Sequence, residues 1–195
     1  FETGYLPIRD FLWASPVFLK VLFSANHGLL SWTPVLIFSL VGLLLFARRA
    51  PLPGVPILAA VLAFYFFISI YPDWAGISSF GNRFFISLTS LFIFGLAVCL
   101  ESVASRFSHP RTPLLVSAVV LGCFALWNLG LIYQWGTHLI PARGPISFPQ
   151  AASNQFQVVP RRISAHLHSY FFRRGDMMQQ IEQKDIEQLN KDAQP

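Results

Sequence analysis

Charge is what this sequence has least of. Only 12% of its 195 residues are Asp, Glu, Lys or Arg, against about 25% in an ordinary soluble domain. Four long stretches carry none at all: Leu29 to Ala47, Val55 to Tyr71, Phe84 to Leu100 and Leu114 to Tyr133. Uncharged apolar runs inside a soluble core reach about 10 to 14 residues, so runs of this length exclude a soluble globule. Cysteine is also scarce. Cys99 and Cys123 are the two present, and both lie inside apolar runs, where a thiol behaves as a small hydrophobe; a disulfide framework is excluded. Self-contained catalytic motifs are missing as well: there is no phosphate-cradling glycine loop, no HExxH and no Gly-x-Ser-x-Gly.

What is present is apolar mass. Hydrophobic residues make up 54% of the chain and aromatics 15%. A helix rises about 1.5 Å per residue and needs roughly 17 to 25 apolar residues to cross about 30 Å of hydrocarbon, a length that all four runs reach. The expected fold is therefore all-α: a polytopic transmembrane bundle of about four spans, 29–47, 55–71, 84–100 and 114–133. Residues 1–133 form the bundle and 134–195 a tail. Leu29 to Ala47 lacks a basic entry and lies internally, so it does not read as a signal peptide. The chain opens on Phe1 without an initiator Met, and the expectation is a fragment of a longer protein.

A net charge of +5 would suggest nucleic acid in a soluble protein. Here the cations flank spans, where they set orientation, and no nucleic-acid partner is expected. The connections 48–54 and 101–113 carry Arg48, Arg49, Arg106 and Arg111, whereas the opposite side offers Arg83 in loop 72–83 and Arg143 in the tail. The positive-inside rule makes the first pair cytoplasmic, leaving loop 72–83 and the tail extracytoplasmic. The partners expected from this are membrane lipids.

Before the first run, Tyr5 to Leu30 mixes apolar residues with Arg9, Asp10 and Lys20 and is broken by Pro16; a short interfacial helix is expected. After Tyr133 the prolines and glycines of Gln134 to Gln157 predict irregular chain. From Arg161 to Arg174 an apolar stripe at Ile163, Leu167, Tyr170 and Phe171 lies between two arginine pairs, a pattern of membrane-surface helices. The final polar stretch reads as a solvated tail.

Two segments on the extracytoplasmic side hold more polar and aromatic residues than a connector needs. SANHGLLSWTP (24–34) brings His27, Ser31, Trp32 and Thr33 to the mouth of the first span, with Pro34 near a helix start. YPDWAGISSFGNRFF (71–85) brings Asp73, Trp74, Ser78, Ser79, Asn82 and Arg83, with Gly76 and Gly81 for tight backbone. A planar guanidinium such as Arg83 beside Asn82 suits bidentate binding of a phosphate, and His27 can act as a general base, a phosphate donor or an interfacial polar residue. Asp73 can instead clamp Arg83 in an ion pair. Trp32 and Trp74 also stand where aromatic belts form on any membrane protein. His166 and His168 are two apart and would point to nearly opposite helix faces, which makes a poor metal pair; His109 and His138 are isolated.

These two segments, in this order around a hairpin of spans, resemble the C-terminal half of bacterial membrane glycosyltransferases of the C-type superfamily, the group related to dolichyl-phosphate-mannose protein mannosyltransferases. The resemblance covers about Phe11 to Leu100 and rests on HGLLSWTP and SFGNRF. It implies transfer of a sugar from a polyprenyl-phosphate donor to a lipid, glycan or protein acceptor on the extracytoplasmic face of a bacterial inner (plasma) membrane, with Arg83 first and His27 and Lys20 next at the donor's phosphate. In such enzymes the acidic catalytic residues, and any divalent metal, belong to an early extracytoplasmic loop. Asp73 does not match that position, so the catalytic residue is unknown and no cofactor is evident here. A transporter or flippase of lipid-linked substrates, or a non-catalytic membrane scaffold, remains the alternative; a transporter would be expected to carry ionisable or Gly/Pro-interrupted spans near the midplane.

Overall fold

The structure is a computed structural model and describes residues 10–76, 80–109, 111–141 and 146–192. Every regular element among them is helical. In chain order these are α1 (Phe18–Phe23), α2 (Leu29–Trp32), α3 (Leu36–Arg49), α4 (Pro51–Ile70), a 3-10 turn (Arg83–Leu88) leading into α5 (Thr89–Ala104), α6 (Arg111–Gly136), α7 (Phe148–Ser153), a π-helical turn (Asn154–Val158), α8 (Val159–Phe172) and α9 (Arg174–Asp192).

Among the described residues, three helices are long and apolar enough to cross a membrane: Pro51–Ile70, Arg83–Ala104 and Arg111–Gly136, of 20, 22 and 26 residues. They match the second, third and fourth expected spans. The first expected span, 29–47, is not one helix. It is broken at Thr33 (φ −133°, ψ 68°), and α3 alone has 14 residues, about 21 Å of rise. The cause is local: the residue before a proline is pushed out of the helical region, and Pro34 follows Thr33.

Helices α3 and α5 run parallel in close contact because small residues line their seam. A Cβ on Gly42 would collide with the Gly95 carbonyl, and one on Gly95 with the Ser39 carbonyl; Cys99 lies on the same seam. Small residues let backbones approach where lipid removes the hydrophobic drive between helices, leaving packing to hold them. The shared direction is marked at their C-terminal ends by an Arg49–Glu101 ion pair at 3.6 Å. Between α3 and α4 only Ala50 intervenes. Pro51 and Pro53 fall in the first turn of α4, where their missing N–H groups cost nothing, and a Cβ on Gly54 would stand 2.5 Å from the Ala47 Cα. The connection 48–54 is thus largely helix.

The segment in which a short interfacial helix is expected precedes α2. It contains six-residue α1 flanked by irregular chain, and its residues before Asp10 lie outside the described residues. Its backbone finishes the end of α4. Val17 N–H donates to the Ser69 carbonyl at 2.8 Å and Leu12 N–H to the Ile70 carbonyl at 2.7 Å. The last carbonyls of a helix have no intrahelical partner, and this length of chain satisfies two of them. Tyr65 Oη adds a 2.9 Å donation to the Phe18 carbonyl.

Beyond α6 the tail is more regular than the prolines suggest. Only 137–141, 146–147 and Arg173 are non-helical among the described residues there. The stretch from Phe148 is helical, and the polar end forms α9, as expected of a run rich in the good helix formers Gln, Glu, Lys and Met. The chain divides into two compact units, one ending at Ala151 and one beginning at Ala152, later than the expected boundary at 133/134. The reason is that Ile140, Ile146 and Ala151 are buried in a cluster with Trp32 and Leu131, which ties this stretch to the bundle.

Candidate functional site

The end of the bundle opposite the Arg49–Glu101 pair is built around His27. This residue sits in a turn after α1 with φ 60°, a left-handed conformation that non-glycine residues adopt rarely and at a cost of about 1–2 kcal/mol. Aromatic contacts hold it there. Its ring stacks on Trp32 (centroids 5.1 Å apart, planes 13° apart) and meets the edge of Trp135 at 5.8 Å. Trp32 in turn packs edge to face against Phe80 at 5.2 Å. Both Trp32 and His27 are buried, at 5% and 4% exposure.

Polar bonds fix the same residues. Trp32 Nε1–H donates to the Ala25 carbonyl at 3.1 Å, and the Asn128 amide of α6 donates to the Trp32 carbonyl at 2.9 Å. One ring nitrogen of His27 hydrogen-bonds the Gly81 backbone; Nδ1 is buried and has no hydrogen-bond partner. Burial holds the His27 pKa below the usual imidazole value, with the Gly81 bond opposing, so the ring is neutral at neutral pH. Gly81 itself has φ 64°, which a side chain would strain.

Asn82, 8% exposed, donates its amide to the Trp74 carbonyl at 3.0 Å while its side-chain oxygen remains buried without a partner. This bond closes the loop on itself. Asn82 also lines a half-open cavity of about 310 Å³ between α3 and the start of α5, whose polar wall is Thr33, Ser39, Asn82 and Thr89 and whose remainder is mainly apolar, including Leu36, Phe85 and Phe92. The Asn82 oxygen is enclosed and is not open to the cavity, so the polar character of the cavity wall comes from Thr33, Ser39, Thr89 and the rest of Asn82.

The predicted site residues therefore divide. His27, Trp32 and Asn82 are joined through residues 80–82, and Trp74 reaches the group through Asn82. Arg83 follows directly but is exposed; its guanidinium lies over the Phe84 ring at 5.6 Å, and a Cβ at Gly76 would meet its Cγ at 3.3 Å. The expected Asp73–Arg83 clamp is not formed: the guanidinium lies over the Phe84 ring instead, while the Asp73 backbone carbonyl accepts the Gly76 N–H at 3.1 Å in the turn. Lys20 is exposed in the last turn of α1. Ser78 and Ser79 lie outside the described residues. Sequence reasoning missed Phe80, Trp135 and Asn128; an Asn in an otherwise apolar run and a Trp at its end were the signals. No group of three metal-ligating side chains occurs among the described residues.

No family model, curated protein or solved structure matches this chain.

Proposed function

We propose that this chain is part of an integral membrane glycosyltransferase that moves a sugar from a polyprenyl-phosphate donor to an extracytoplasmic acceptor, with the His27–Asn82 end of the bundle facing away from the cytoplasm. The observation that carries the reading is the pairing of a mainly apolar cavity, lined in part by Asn82, with an exposed arginine one residue further on. A lipid-phosphate sugar has the same two parts, an apolar body and an anionic head bearing hydroxyls.

Arg83 is assigned to the phosphate. Its planar donors match phosphate oxygens bidentately, and a cation there stabilises the charge that develops as the phosphate leaves. The Phe84 face holds that guanidinium in place until substrate arrives. His27 is too enclosed to exchange protons with a substrate in this conformation and serves instead to position Gly81, hence Asn82 and Arg83. The carboxylate that activates the acceptor would come from another part of the protein.

In the full-length enzyme, Arg83→Ala should lower transfer from a polyprenyl-phosphate sugar by roughly tenfold to a thousandfold, the loss of one charge-stabilising group, while membrane insertion is unchanged. Unaltered transfer in a normally inserted protein rules out this role.

A further inference from the structure

The α8 helix has a feature that the glycosyltransferase reading does not use. No Asp or Glu occurs between Glu101 and Asp176, so α8 carries no negative charge, while arginines stand at both its ends: Arg161, Arg162, Arg173 and, opening α9, Arg174. At about 100° per residue, Val159, Ile163, Leu167, Tyr170 and Phe171 fall within one stripe, with Arg161 and Arg162 to its sides. Four members of that stripe are exposed, from Ile163 at 41% to Phe171 at 73%. Arg174 lies over the Tyr170 ring at 5.3 Å, at the stripe's border.

We infer that α8 is a docking surface for anionic lipid: it lies in the plane of the membrane, with Ile163, Leu167, Tyr170 and Phe171 in the acyl boundary and its flanking arginines on lipid phosphates. Charge selects this occupant. A neutral apolar groove would bury the stripe but leave the guanidinium groups desolvated beside it, whereas an anionic headgroup layer takes both together. The acid-bearing α9 contrasts with it, containing Asp176, Glu182, Asp185, Glu187 and Asp192, whose charge an anionic surface repels. Docking of this kind requires a membrane protein but not sugar transfer.

The test uses the full chain in nanodiscs, with Cys99 and Cys123 replaced by Ala and an environment-sensitive NBD label on Phe171→Cys. A second label on Glu182→Cys reports α9. In discs containing phosphatidylglycerol the label at 171 should shift to the blue while that at 182 stays water-like, and the shift should vanish in phosphatidylcholine alone. Replacing Arg162, Arg173 and Arg174 by Gln should abolish the lipid dependence, each contributing about fivefold to the docked-to-free ratio. A water-like label in both lipids overturns the inference, as does a blue shift indifferent to lipid charge. A shift that grows with protein concentration overturns it in favour of a second copy as the occupant.

Discussion

At the scale of the residue, His27 bears two opposing demands. Its left-handed backbone is unfavourable for any side chain, and its ring is held by Trp32, Trp135 and Gly81. Removing the ring alone leaves the strain, so His27→Ala should be less stable than His27→Gly by about 1 kcal/mol, which thermal unfolding of the two variants would measure. Protonation is a second handle. Because burial lowers the folded-state pKa below 6.5, the unfolded chain binds the proton more readily; the ring's contribution is complete above pH 6.5 and is lost as pH falls through the lower folded value. Melting temperature should therefore drop between pH 7 and pH 5, and His27→Gln should flatten that part of the profile. The sequence made His27, Trp32 and Asn82 visible as polar or aromatic residues at span mouths. It could not show that Trp135, a hundred residues on, closes the same box, since such stacking depends on how α6 returns to this end.

At the scale of the element, the α3–α5 seam depends on the absence of side chains. Gly42→Val places a Cβ bearing two methyl groups where the Gly95 carbonyl already stands, and overpacking of this kind costs about 1–3 kcal/mol or more. Gly122, on α6, has open space around its Cβ position, so Gly122→Ala should change stability by no more than about 0.5 kcal/mol. Thermal unfolding in one detergent would compare them, and equal losses would contradict the seam. Three runs were legible as helices because nothing charged interrupts them. The run at 29–47 misled because apolar composition hides a backbone break, although Pro34 was the local sign of it. Further on, α8 was legible from its apolar stripe, whereas α9 was missed for the converse reason: without such a stripe, helix propensity in Gln, Glu and Lys was the only signal.

At the scale of the whole molecule, the bundle has two unlike ends. Arg48, Arg49, Arg106 and Arg111 gather at one, and the His27, Trp32, Asn82 and Trp135 group at the other. On the orientation proposed above, which follows the positive-inside rule, the arginine end faces the cytoplasm and the aromatic end the opposite face. Single cysteines in a chain with Cys99 and Cys123 replaced test this most directly, using a membrane-impermeant maleimide on intact cells. Ser108→Cys, exposed in the turn between α5 and α6, and His138→Cys, exposed just after α6, report the two ends. The prediction is labelling at 138 in intact cells and at 108 only after lysis; the reverse pattern, or labelling of both before lysis, contradicts it.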